Sequence, residues 1–188
     1  MSAFVLASRS PRRRDLLAAV GLHPEILASD IDERPLEGEA PIVYGRRVAR
    51  GKAEACSATL PVLAADTVVA LGDEIFAKAP DPAAAEHMLR RLAGHQHQVH
   101  TAVAWRPARD ADTQTIVVTT QVTFRQLTDD EIRRYVATGE PMDKAGAYGI
   151  QGGGGALVAH VTGSYTNVVG LPLEETLTLM APWGIKPC

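Results

Sequence analysis

One carboxylate in this chain stands where apolar residues are expected. Asp66 interrupts Val62–Leu71, VLAADTVVAL, a run that otherwise reads as a central strand buried on both faces. A charge in such a place must be paired or bound to a metal. From the residue alone the roles stay open: a structural partner for a buried arginine, a cap for a nearby loop, or a general base or Mg²⁺ ligand at the strand's end.

A second signal is LASRSPRRRDLL, Leu6 to Leu17. A short strand, a serine-rich turn and a helix start present free backbone N–H groups and the positive end of a dipole, which suits an anion. Arg12 and Arg13 fall in the first turn, where a cation opposes that dipole at a cost of roughly 0.3–1 kcal/mol each. An arriving anion would offset the cost; solvated arginines are the equal alternative, and Arg14 reads as an ordinary surface residue. Asp32 and Glu33 follow in an acidic loop, and Lys52, Lys78 and Lys144 stand beside turns or helix ends. Taken singly, each is more often a surface charge than a ligand. His95 and His97 are expected to share one strand face, but they and His100 lack partners at zinc spacing and read as structural or rim histidines. The run GIQGGGG matches neither common nucleotide-loop fingerprint. Together, the cations, acidic loop and buried aspartate form the set needed for metal-assisted attack of water on a phosphate.

The background is that of an ordinary globular protein. A chain of 188 residues with 46% hydrophobic and 22% charged residues can bury a core without a disulfide or structural metal. Residues 1–188 read as one domain, built from two lobes with no separable linker. A net charge of −3 argues against a general nucleic-acid binder. Cys56 and Cys188 have no framework spacing, MSAFVLASRSPRRR has the wrong order for a secretion signal, and no apolar run reaches the roughly 18 residues needed to span a membrane. A soluble, cytoplasmic protein is expected.

The elements that must position these residues alternate. Strands are expected at Phe4–Ala7, residues 23–29, Val62–Leu71, Glu74–Ala77, about 96–106 and 114–125, and Ala156–Val161. Helices are expected from Pro11, capped by Ser10 and stopped at Gly21, and over Ile42–Thr59 and Asp81–Leu92. Two more run from a Thr128–Glu131 capping box to about Thr138 and over Leu173–Met180. Asp30–Pro41, residues 139–155 and GSYTN read as loops. The expected fold is α/β: a mixed, twisted sheet flanked by helices, with a central cleft between two lobes.

Seven ordered blocks then carry a family resemblance: SRSPRRRDLL, SDIDERP, RRVARGKA, AADTVVALGDEIFAKAP, LAGHQHQVHTAVA, TFRQLTDDEIRRYVATGEPMDKAGAYGIQG and GSYTNVVGLPLEET. They resemble the Maf family of nucleoside triphosphate pyrophosphatases, from about residue 4 to 180. The resemblance implies a fold related to inosine triphosphate pyrophosphatase, and hydrolysis of a nucleoside triphosphate to monophosphate and pyrophosphate with a divalent cation, Mg²⁺ or Mn²⁺. It places the catalytic carboxylate on Asp66, a metal on Asp66 and Glu33, and substrate contacts on Ser8, Arg12, Arg13, Lys52 and Lys78. Positions for substrate choice fall on Arg12, Thr67 and Gln151. KAGAYGIQG is the form found in the subfamily preferring dTTP and UTP; the 7-methyl-GTP subfamily differs in these blocks. Homodimers are common in the family, and neither a membrane nor a stable nucleic-acid complex is implied. A rival role, a nucleotide- or nucleic-acid-binding regulator of cell division, predicts no pyrophosphate release. Two departures stand out. Ala77-Lys78-Ala79-Pro80 replaces the family's Gly-Lys-Pro, which puts the position of Lys78 in question, and Gly152–Gly155 are expected to loosen the lid over the base.

Overall fold

The computed structural model describes residues 3–187. Its framework is three long strands, β3 (Val62–Leu71), β5 (Gln96–Arg106) and β6 (Gln114–Phe124), paired antiparallel in that order. Short strands complete a seven-stranded mixed sheet: β1 (Val5–Leu6), β2 (Glu25–Ile26), β4 (Glu74–Phe76) and β7 (Val158–Thr162). β1 runs parallel to both β2 and β3, β4 folds back on β3, and β7 closes the far edge on β6. Six α-helices flank it: α1 (Pro11–Ala19), α2 (Pro41–Ala55), α3 (Pro82–Leu92), α4 (Asp129–Ala137), α5 (Tyr165–Val169) and α6 (Leu173–Met180).

The long strands carry separate cores at their two ends. At one end, Leu6, Leu17, Leu63, Trp105, Leu171 and Met180 pack on one face of the sheet, and the small residues Ala49, Ala53, Ala64 and Ala104 let α2 lie close on the other. At the opposite end, Phe76, Leu89, Leu92, Phe124, Ile132 and Tyr148 form the largest cluster, under α3 and α4. The apolar stripe of α2 contains Tyr44, Gly45, Val48, Ala49, Lys52 and Ala53, so one lysine is carried inward at a position reserved for core residues.

Several boundaries differ from the sequence expectation, each for a visible reason. The strand expected over residues 23–29 shrinks to Glu25–Ile26, because its partner β1 has only two residues before the chain turns away. Ser10 sits at the N-cap of α1 without capping it; its own N–H donates to the Ser8 hydroxyl at 3.2 Å. α2 stops at Ala55 rather than Thr59. Buried Arg106 donates to the carbonyls of Glu54, Cys56 and Ala58 at 3.2, 2.9 and 3.0 Å, holding the segment after the helix in place. GSYTN is a helix start, since the Ser164 hydroxyl accepts from Asn167 N–H and opens α5. Gly153–Leu157 coil into a 3-10 turn, which delays β7 to Val158. His95 precedes β5 and is exposed, so it does not share a strand face with buried His97.

Arg106→Ala removes three charge-assisted bonds around a helix end without touching the cleft. Urea unfolding should show a loss of roughly 2–4 kcal/mol with an unchanged slope. A loss below about 0.5 kcal/mol, the range of ordinary surface changes, would contradict this account of where α2 ends.

Candidate active site

Asp66 is exposed to the cleft by a gap in the sheet. On the β3 edge away from β5, β1 pairs at Val62–Leu63 and β4 at Val69–Leu71. Between them, Ala64–Val68 have no strand neighbour on that edge among the described residues. A crevice at the carboxyl end of a parallel strand, where neighbouring chains diverge, is the usual ligand position in open α/β sheets. Here it opens into a cavity of about 630 Å³ whose walls include Ser8, Arg12, Glu33, Asp66, Lys78 and Gln151.

Strand alternation turns Asp66 toward α2 and Thr67 toward α1 and α5. The Lys52 ammonium donates to Asp66 Oδ1 at 2.9 Å and to Glu33 Oε2 at 3.0 Å, so one buried cation joins the strand carboxylate to the acidic loop. The Asp66 and Lys52 side chains are each only 11% exposed, whereas Glu33 is 47% exposed. Burial pushes the Asp66 pKa above its ordinary value; Lys52, and more distantly Arg13, oppose that push without cancelling it. Glu33 and Asp66 thus converge on one cation, with no cluster of three or more metal-binding side chains among the described residues.

The arginines of α1 separate cleanly. Buried Arg13 points inward, with Nε donating to Gly170 O at 2.8 Å, Nη1 to the Ser8 hydroxyl and Nη2 to the Thr67 hydroxyl, both at 3.1 Å. Thr101 donates to Asn167 O, so the Thr67 hydroxyl passes its own proton to Thr101 at 3.0 Å. Arg13 therefore ties α1, β3 and the end of α5 together. Half-buried Arg12 faces the cavity and pairs with Asp143 at 3.5 Å across the cleft. Arg14 pairs with its neighbour Asp15 at the surface.

Lys78 also lines the cavity, held by an antiparallel bridge to Ala145. The extra alanine beside it, Ala79, is buried in the far core. The longer loop is thus absorbed by packing, and the lysine still faces the cleft. Exposed Gln151 stands at the cavity wall within the glycine segment. Buried His97 supports the back of the cleft, its Nε2 lying 2.9 Å from the Tyr148 hydroxyl, and burial lowers its pKa to about 4.

Two features escape the sequence reading. Glu140, read only as part of a loop, lines the cavity and accepts from Tyr135 and from the amides of Gly153 and Gly154. The glycine run itself, expected to loosen the lid, is wrapped around that carboxylate. A Cβ on Gly152 would lie 2.5 Å from Glu140 Oε2, so a side chain there would push aside the carboxylate that gathers the run. The signal available in the sequence was an acidic residue beside a proline ahead of a glycine-rich segment, which is too common to single out.

A family model described as "Maf: Maf-like protein" matches residues 3–183. The chain belongs to the Maf family. Among Maf relatives, a protein of Anaeromyxobacter dehalogenans named dTTP/UTP pyrophosphatase is 56% identical over 96% of this chain and 93% of its own. A Myxococcus xanthus protein of the same name is 51% identical over 96% and 92%. Among solved structures, the Ham1 protein of Staphylococcus aureus shows 15% identity and a TM-score of 0.46 over 65% of this chain and 71% of that one. No described helix of this Maf protein is long and apolar enough to cross a membrane.

The Lys52–Asp66 geometry makes opposite predictions for its two ends. Lys52→Met strands a buried carboxylate and should cost roughly 3–5 kcal/mol in urea unfolding near pH 7.5. Asp66→Asn keeps an acceptor for Lys52, leaves Glu33 paired with it, and should cost little. The Lys52→Met deficit should shrink as pH falls, because a raised aspartate pKa in the folded state means stability that is full below the ordinary value and lost as pH rises through the raised one. Equal losses in both variants, or a deficit independent of pH, would contradict the geometry.

Proposed function

We propose that this Maf protein hydrolyses nucleoside triphosphates, with dTTP and UTP preferred, to the monophosphate and pyrophosphate. The observation that carries the reading is the buried Asp66, fixed by Lys52 at the floor of a cleft whose rim holds Arg12 and Lys78. The names of the Maf relatives support the same substrates. In the reaction, water adds to phosphorus, the bond between the α and β phosphates breaks, and pyrophosphate leaves. Asp66 orients the water and accepts its proton. Its raised pKa brings a carboxylate closer to the range in which a general base works well.

Arg12 and Lys78 offset charge growing on the phosphoryl oxygens, together with the N-terminal amides of α1, which no side chain caps. Arg13 acts beneath them, fixing Ser8 and the helix start. Lys52 keeps the two carboxylates together. Asp66 and Glu33 are hard oxygen donors that already share one cation, which fits Mg²⁺ or Mn²⁺ held by two carboxylates plus substrate phosphates and water. When bound there, such an ion supplies charge neutralisation at the phosphates. The Gln151 amide offers one donor and one acceptor, matching the O4 and N3–H edge of thymine or uracil. A cytoplasmic setting suits this work on nucleotide pools.

A pyrophosphate-release screen over dTTP, UTP, dCTP and 7-methyl-GTP, with and without Mg²⁺ or Mn²⁺, tests the reading. Turnover should require the cation and be fastest with dTTP and UTP. Asp66→Asn should lose roughly 10²–10⁴-fold in kcat while remaining folded. Absence of pyrophosphate with every nucleotide, or near-normal turnover in Asp66→Asn, would overturn it.

A further inference from the structure

The glycine segment of the cleft wall is held by one carboxylate. Gly139, with φ of 75°, ends the run after α4 and starts a 3-10 turn over Glu140–Asp143. From there the Glu140 side chain reaches the glycine segment. Its Oε1 accepts from the Tyr135 hydroxyl at 2.8 Å and from Gly154 N–H at 3.2 Å, and its Oε2 accepts from Gly153 N–H at 2.9 Å. The Tyr135 hydroxyl in turn accepts from Gly149 N–H at 3.1 Å. Lys144 fixes the other side of the residue, donating to the Glu140 carbonyl at 2.6 Å.

Amides on both sides of Gln151 are therefore gathered by the Tyr135–Glu140 pair. Tyr135 is itself anchored in the core with Phe124 and Tyr148. Gly154 is more tightly constrained than Gly152, since a Cβ there would lie 2.6 Å from the Tyr135 hydroxyl and 2.7 Å from the Gly149 backbone. Four glycines in succession have little conformational stiffness of their own. The place of Gln151 along the cleft wall is thus set by side chains from α4 and the turn after it.

We infer that Glu140, with Tyr135, is the positioning pair for base discrimination: it holds Gln151 where it can select a thymine or uracil edge over a cytosine edge. This rests on the proposed function for its substrate class, but not on the Asp66 chemistry. The hydrogen bonds of these two side chains run to each other and to the glycine segment, so the pair governs which base is accepted and leaves the rate of the chemical step alone. Asp66 and Lys52 govern the rate from the opposite wall.

The test compares wild type, Glu140→Ala, Glu140→Gln and Tyr135→Phe by three readouts: affinity for dTMP against dCMP, kcat with saturating dTTP, and amide hydrogen exchange over residues 149–155. Glu140→Ala should lose exchange protection in that segment and reduce the dTMP over dCMP preference roughly tenfold, the worth of about one hydrogen bond, while kcat stays within about threefold. Glu140→Gln keeps an acceptor for Tyr135 and Gly154 but turns an amide N–H toward Gly153, so it should fall between wild type and alanine. Tyr135→Phe should lose protection chiefly at Gly149. An unchanged base preference in Glu140→Ala, unchanged exchange, or a collapse of kcat as large as that of the binding preference would overturn the inference. A wild type that prefers dTMP but releases no pyrophosphate counts against the proposed function alone. A wild type with no dTMP preference counts against the inference.

Discussion

A carboxylate buried at a gap in the edge of a β-sheet is tolerable only because a lysine is buried against it. The Lys52–Asp66 contact at 2.9 Å constrains much of the rest of the structure. It requires α2 to lie close enough for the inward-facing Lys52 to meet β3, which the alanines beneath that helix permit. It requires β1 to stop after two residues, so that the edge of β3 stays open. It also ties the half-exposed Glu33 of the acidic loop to the same lysine. Desolvation of two charges is costly, and a hydrophobic pair at the same positions would give an equally stable fold. Retaining the charges makes sense if a charged group is needed at that spot in the cleft.

The two ends of the sheet divide the work. The β1 end brings the uncapped start of α1, with Arg12 at the rim and Arg13 braced against Ser8, Thr67 and Gly170. The far end brings Lys78, the glycine segment and the Glu140 turn, all resting on the core under α3 and α4. Arg12 and Asp143 meet across the cleft between these halves. An anion in the cleft would compete with Asp143 for Arg12. The long strands β3, β5 and β6 run through both halves and keep the two walls in register.

Much of the catalytic side was legible in the sequence because charges in apolar patterns stand out. Asp66 breaks a continuous apolar run and so announces itself, whereas Lys52 reads as one more surface lysine and only the fold turns it inward against β3. The sheet and most helices follow from the same patterning, with Pro11 marking the start of α1; that Pro41 and Pro82 also occupy first-turn positions is seen only in the structure. The polar supports did not show. Arg13 and Arg12 are adjacent and alike in sequence, and only the fold turns one inward and the other toward the cavity. Arg106 sits at the end of an ordinary strand, yet decides where α2 stops. The glycine run looked loose because local sequence reports intrinsic freedom, whereas its actual restraint comes from Glu140, Tyr135 and Lys144 through contacts that no local pattern encodes.

The account depends on Lys52 holding Asp66 ionised against the cost of burial. A ¹³C NMR titration of the Asp66 carboxyl in the ligand-free protein, repeated in Lys52→Met, measures that balance directly. The account predicts a wild-type midpoint above the ordinary 3.8 and a further upward shift when the lysine is removed. A wild-type midpoint at or below 3.8, or one that Lys52→Met leaves unmoved, would contradict it.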